Sequence, residues 1–148
     1  MRRQRWIGAD GVGRVNINLD VANNDDMALA RRGALPKDQV RRRTIGAVVD
    51  SGANKLVLPG KVVKELGLPL VGKVKVRYAN GRTAVREVAE GAYVELLGRH
   101  GTFRAVVEPK RDTALVGAIV MEDFDLLMDC PNERVIPRDP KIEVQEIE

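Results

Sequence analysis

Apolar residues fall at every second position through much of this chain, and that period dictates strands. In residues 14–21, Val15, Ile17, Leu19 and Val21 alternate with Arg14, Asn16, Asn18 and Asp20. Successive side chains of a strand point to opposite faces, so this stretch carries one apolar and one polar face. Two more alternating runs flank Asn80-Gly81 within residues 74–88, and Asn-Gly between strands is the strongest short signal for a hairpin. Residues 92–109 read as another hairpin, turning near Gly98 to Gly101. Aromatic residues make up only 3% of the chain, so Val, Leu, Ile and Ala must fill the interior. Valine is abundant, and its branched side chain favours strands again.

The rest of the chain fits around these hairpins. Residues 40–50 form a second strand, buried on both faces by its end. Residues 22–39 are polar and turn-rich and read as a long loop, with one helical turn around Met27 to Ala30. Val62, Val63 and Leu66 share one face of a short helix that Gly67 stops. Residues 114–130 pass from an apolar strand through Gly117 into a second short helix and a last strand, and residues 135–137 pair back on it. The tally is many short strands, two short helices and no βαβ alternation. That is an all-β fold with a closed or barrel-like sheet, a single domain over residues 13–137. A flexible basic leader, residues 1–12, precedes it, and an acidic tail, residues 138–148, is expected to fray or to wait for a partner.

Several function classes drop out. No apolar stretch is long enough to span a bilayer, and the basic start has no apolar core behind it, so it is not a signal peptide. The single cysteine, Cys130, allows no internal disulfide, which fits a reducing, cytoplasmic setting. The single histidine, His100, makes a His/Cys metal cluster implausible. Acidic residues 23–26 lack the spaced ligands of a calcium loop. No metal or cofactor is therefore expected. The formal net charge is +4, with arginines grouped at Arg2, Arg3 and Arg5, at Arg31 and Arg32, and at Arg41 to Arg43. These read as solvated loops and strand edges. No aromatic platform accompanies them, so nucleic acid is an unlikely partner.

The chemistry concentrates at Asp50. Ala47, Val48 and Val49 lead into it; Ser51, Gly52 and Ala53 follow; then Leu56, Val57 and Leu58 are apolar again. Asp-Ser-Gly alone is ordinary turn chemistry. A turn set between two buried runs, however, delivers its carboxylate to a cleft floor.

This stretch, AVVDSGA followed by LVLP, resembles the active-site motif of retroviral-type aspartic proteases. Leu115-Val116-Gly117 and the helix after it resemble the family's later apolar-apolar-Gly segment, which packs across the catalytic loop. The Asn80-Gly81 hairpin sits where the family carries its flap. The three elements occur in the family's order over residues 13–137, and they look most like those of soluble bacterial single-lobe members. The resemblance implies a peptidase fold in which Asp50 is catalytic, Gly52 brings backbone amides to the carboxylates and Ala53 keeps the turn small. Ser51 stands where the family commonly has Thr, its hydroxyl able to bond across a dimer axis. Ala79, Asn80 and Gly81 would form the flap over substrate, and Val76, Leu115 and Val116 are apolar candidates for the pocket or for packing the loop.

Hydrolysis by carboxylates needs two of them sharing a proton around one water. This chain has one Asp-Ser-Gly. Residues 9–11, Ala-Asp-Gly, lie in the leader, and residues 111–114, Arg-Asp-Thr-Ala, lack the glycine. The second Asp50 must come from a second copy, which implies a two-fold homodimer. The substrate class would be an extended peptide with apolar side chains, held by strand addition between floor and flap. Two rivals stand beside this reading: a catalytically silent module of the same fold, and a basic β-domain that binds nucleic acid. A hydrolase built on His100 or Cys130 is a weaker third, because neither sits in a recognisable nucleophile setting.

Overall fold

The computed structural model describes Trp6–Ile7 and residues 13–148. Its main sheet grows from the alternating runs. Strand β2 (Arg14–Asn23) pairs antiparallel with β3 (Arg42–Asp50) from Arg14↔Asp50 to Ala22↔Arg42. Strands β4 (Leu56–Pro59), β5 (Leu70–Arg77), β6 (Thr83–Leu96), β7 (Arg99–Glu108) and β8 (Ala114–Val116) complete a seven-stranded sheet in the order β2-β3-β8-β4-β7-β6-β5. Asp20–Asn23 of β2 also pair with Ala92–Glu95 of β6, and this extra pairing closes the sheet into a barrel. Leu19, Val49, Leu56, Leu58, Val94 and Val116 are fully buried inside it. Strand β8 runs parallel to β3, and β4 runs parallel to β7.

Strand β6 is a single 14-residue strand where the sequence reads as two separate runs. It accommodates both roles because the register shifts between Ala89 and Ala92 around Gly91, which has φ 73°. A bulge of this kind bends the strand, so its first half serves the β5–β6 hairpin and its second half the barrel wall. The β6–β7 turn falls at Leu97-Gly98, both with positive φ, as a two-residue turn requires. The β5–β6 turn differs from the two-residue Asn80-Gly81 turn that the sequence suggests. Asn80 keeps a negative φ, the Gly81 amide donates to the Tyr78 carbonyl (2.9 Å), and Gly81 has φ 84°. The loop is thus a turn over Ala79-Asn80 followed by a glycine bulge.

Among the described residues three α-helices flank the barrel: α1 (Asn24–Arg31), α2 (Gly60–Leu66) and α3 (Ala118–Asp123). Helix α1 replaces most of the expected loop. Asn23 caps it by accepting from the Asp26 amide at 3.0 Å. The one residue it buries, Asp26, accepts from Arg41 through Nε at 2.8 Å and through the backbone amide at 3.0 Å. These bonds to Arg41 hold the Asp26 carboxyl below the usual carboxylate range. A helix anchored by an ion pair shows no apolar period, and for that reason the sequence reads as a loop there.

A second sheet holds β1 (Trp6–Ile7), β9 (Leu126–Asp129) and β10 (Arg134–Pro137) in the order β1-β9-β10. Apart from Trp6–Ile7, the expected leader lies outside the described residues. The acidic tail, expected to fray, is docked on the body. Asp125 is fully buried, and its carboxylate accepts from Arg138 Nε at 2.7 Å and from the Val144 amide at 3.0 Å. Buried Arg99 donates to the Phe124 and Asp139 carbonyls. Two buried charges need partners, and the tail supplies part of them. Among the described residues no helix is long and apolar enough to cross a membrane.

Candidate active site

Strand β3 carries Asp50 to its end, and the chain then turns at once. The Asp50 carbonyl accepts from the Ala53 amide at 3.1 Å, and its carboxylate Oδ1 accepts from the Gly52 amide at 2.8 Å. Oδ2 faces Arg14 Nε at 3.2 Å, on the register partner of Asp50 in β2. The Asp50 side chain is 12% exposed and that of Arg14 74%. A largely sheltered carboxylate is thus oriented by one backbone amide on Oδ1 and by an exposed arginine on Oδ2.

The turn is clamped from both sides. Ser51 donates its amide to the Gly13 carbonyl (3.1 Å), and its hydroxyl accepts from the Gly13 amide (2.8 Å). Within the chain, then, the Ser51 hydroxyl serves Gly13. A side chain at Gly13 would sit 2.3 Å from Cys130 Sγ, so half-buried Cys130 packs beneath this clamp. On the other side, the first amides of α3 cap the loop: Ala118 N–H donates to the Ala53 carbonyl at 2.9 Å and Ile119 N–H to the Asn54 carbonyl at 3.0 Å. Gly117 makes that approach possible. A Cβ there would lie 2.6 Å from the Asn54 carbonyl carbon and 2.7 Å from both Lys55 N and Lys55 O.

Parity along the strands sorts the apolar candidates. Val49 and Val116 are register partners, both fully buried in the core, so Val116 lines no cleft and its part is packing. Leu115 pairs with Val48 in β3 and with Val57 in β4. All three are half-buried and share the face of β3 that carries Asp50. Val48 and Val57 escape the sequence reading, although the period of two from Asp50 already places Val48 on its face. Val76 is half-buried in β5 of the β5–β6 hairpin, and Ala79, Asn80 and Gly81 are exposed at its tip.

Glu108 is a further residue that sequence reasoning does not single out. It ends β7, and its carboxylate accepts from Tyr78 Oη and Arg86 Nε, each at 2.5 Å. Both donors belong to the β5–β6 hairpin. The bond to Glu108 raises the Tyr78 phenol above its ordinary range, so Tyr78 remains a donor. Glu108 therefore ties the β5–β6 hairpin to the loop of residues 109–113. His100 lies elsewhere, exposed on β7 and stacked on Tyr93. A cleft of about 330 Å³ lined by Asp20, Arg42, Tyr93 and Glu95 is at the opposite end of β3 from Asp50.

A closed β-barrel with few short helices, an Asp-Ser-Gly turn at a strand end and a strand-Gly-helix brace across it define the retropepsin type of aspartic protease fold. The chain belongs to the aspartyl protease family, whose model matches residues 38–120. Among solved structures, EIAV protease complexed with the inhibitor HBY-793 aligns with a TM-score of 0.50 at 15% identity, over 79% of this chain and 93% of that one. A retropepsin-like aspartic protease from Rickettsia conorii aligns with a TM-score of 0.44 at 18% identity, over 76% of this chain and 81% of that one. At 15% identity the likeness to EIAV protease is one of fold. No curated relative matches the sequence.

Proposed function

We propose that this protein is an aspartic endopeptidase that acts as a two-fold homodimer, each copy supplying one Asp50. The observation that carries the reading is the Asp50 turn itself: a carboxylate 12% exposed, oriented by the Gly52 amide, on a loop braced by Gly117 and the start of α3. Such bracing fixes a functional group to the tolerance that catalysis needs.

In the dimer one Asp50 carboxylate takes a proton from the attacking water while the other, protonated, donates to the carbonyl oxygen of the peptide. The tetrahedral intermediate then collapses as a proton passes to the leaving nitrogen, and the C–N bond breaks. The Gly52 amide orients each carboxylate, and the second carboxylate takes the place that Arg14 holds in the single chain. Val48, Val57 and Leu115 supply an apolar floor for a substrate side chain, and the flap from Val76 to Gly81 covers it and excludes water.

One observation favours the silent-module reading: Arg14 already occupies Asp50 Oδ2. One experiment separates the two. Wild type and Asp50→Asn are incubated with a peptide library and digestion is read by mass spectrometry, with circular dichroism as the fold control. Cleavage by wild type that the Asn variant lacks is expected. Equal cleavage by both would sink the peptidase reading, and no cleavage by either would leave the silent module.

A further inference from the structure

The apolar floor beside Asp50 continues into a basic groove. Along β3, Gly46, Val48 and Asp50 share one face, and β8 runs parallel alongside, with Ala47 opposite Ala114 and Val48 opposite Leu115. The loop leading into β8 therefore lies next to the start of that face. Gly46 and this loop line a cleft of about 440 Å³, together with Arg43, Lys61, Lys110, Arg111 and Asp112.

The charges in this groove are unevenly spent. Arg43 pairs with Glu65. Arg111 donates Nε to the Thr113 carbonyl at 2.7 Å, which orders the guanidinium and leaves its charge intact. Lys61 and Lys110 are exposed, and among the described residues neither forms an ion pair with a carboxylate. Asp112 is the one acid in the lining. The first strand and tip of the flap are basic as well: residues 70–82 carry Lys73, Lys75, Arg77 and Arg82 and no acid, although Lys73 pairs with Glu87 of the second strand at 3.8 Å. The groove wall and the first strand and tip of the flap thus carry an excess of positive charge. A field of one sign along a cleft selects and steers a ligand of the opposite sign.

Resting on the peptidase reading above, we infer that the substrate is an acidic extended segment of polypeptide, with a carboxylate side chain seated in the Lys61–Lys110–Arg111 groove. A strand rises about 3.3 Å per residue, so Gly46 lies about 13 Å from Asp50. An extended substrate covers that span in about four residues. A two-fold dimer repeats the groove at both ends, so acids are expected about four residues from the scissile bond on each side. Peptide suits the groove better than nucleic acid: its remaining described lining is Thr44, Ile45, Pro59, Val62 and Pro109, with no aromatic surface on which a base would stack.

The test uses full-length Asp50→Asn protein and two fluorescein-labelled peptides with the same apolar centre. One has Glu four residues to either side, the other Gln. Binding is followed by fluorescence anisotropy, and cleavage of the same peptides by wild type is followed in parallel. An exposed ion pair contributes up to about fivefold, so engagement of two or three cations predicts about tenfold tighter binding of the Glu peptide. That preference should fade in ~1 M salt, where the screening length falls to about 3 Å. It should reverse in a Lys61→Glu/Lys110→Glu variant, whose substitutions are on exposed positions. Equal binding of the two peptides, or binding of neither, overturns the inference even if both are cleaved. So does displacement of the Glu peptide by a single-stranded oligonucleotide at lower concentration than by unlabelled Glu peptide. Charge-dependent binding with no cleavage by wild type upholds the acidic ligand and removes the peptidase reading.

Discussion

Gly117→Ala probes the link between fold and site directly. Gly117 has φ −98°, a conformation any residue adopts, so alanine pays nothing in backbone freedom and the whole effect comes from contact. The added Cβ would stand 2.6 Å from the Asn54 carbonyl carbon, where ordinary contact begins at 3.4 Å. Loop and helix start must separate by the difference, 3.4 − 2.6 = 0.8 Å. The obstructing atoms are backbone and have no rotamer in which to retreat. The same movement lengthens the bonds from Ala118 and Ile119 to Ala53 and Asn54, now 2.9 and 3.0 Å, beyond useful range. Overpacking costs about 1–3 kcal/mol and each of the two lost hydrogen bonds about 1 kcal/mol, for a destabilisation of about 3–5 kcal/mol. The carboxylate of Asp50 rides on that loop, and a misplacement near 1 Å costs about a hundredfold in rate. Urea denaturation gives the stability, and turnover of a library-derived peptide gives the rate. Gly46→Ala is the control, because its Cβ would meet only Thr113 Cγ2, at 3.7 Å; its midpoint should stay close to that of wild type. A Gly117→Ala protein that unfolds with wild type and turns over at the wild-type rate would refute the brace.

Arg14→Ala should change unfolding by no more than about 1 kcal/mol, because its pair with Asp50 is largely exposed on the arginine side, while freeing Oδ2 for a second copy. Sedimentation across a dilution series should show tighter dimerisation, and weaker association would show that Arg14 serves the dimer instead. Glu108→Gln should loosen the flap, since a charged acceptor for Tyr78 and Arg86 is lost. Hydrogen exchange in residues 74–86 should quicken about tenfold and KM rise more than kcat falls, whereas unchanged exchange would remove Glu108 from the flap's control. Stability should decline on the acid side. Arg41 holds Asp26, and Asn132 with Arg134 hold Asp129, below the ordinary carboxylate range. A depressed carboxyl contributes above its unfolded value of about 3.9 and loses that contribution as pH falls through the folded value. Thermal melts from neutrality to strong acid should therefore fall below about pH 4, with a shallower acid limb in Asp26→Asn; an identical limb would contradict the assignment.

How much of this was legible in the sequence follows from which physics each element uses. Strands β2 and β7 bury one face and β5 half-buries Val74 and Val76, and their period of two announces them. Helix α2 buries Val62, Val63 and Leu66, and its period shows in the same way. Helix α1 buries only an aspartate, whose stabilisation comes from Arg41 at 15 residues' separation; no local pattern encodes that partner. The docking of the tail is equally silent, because buried Asp125 and Arg99 look like surface charges until the fold encloses them. The Asp50 turn was legible because apolar runs on both sides of a small-residue turn are uncommon on a surface. Its clamps were only half legible. Gly117 stands out as a glycine between a strand and a helix, but Gly13 and Glu108 act through partners 38 and 30 residues away, Ser51 and Tyr78 respectively.

Val116 shows the limit most sharply. Leu115 and Val116 are adjacent and alike in chemistry, and only the parity of β8 against β3 sends one to the face of Asp50 and the other into the core. That parity is fixed by register: Val49 is odd, core-facing and opposite Val116, while Val48 shares the even face with Asp50 and is opposite Leu115. A one-residue slip of β8 would exchange the two roles. Gly117 guards against that slip, since the residue after Val116 must be the one with no side chain against Asn54 and Lys55. The glycine that braces the carboxylate therefore also selects which apolar residue can face the cleft, and the floor and the turn are set by one contact.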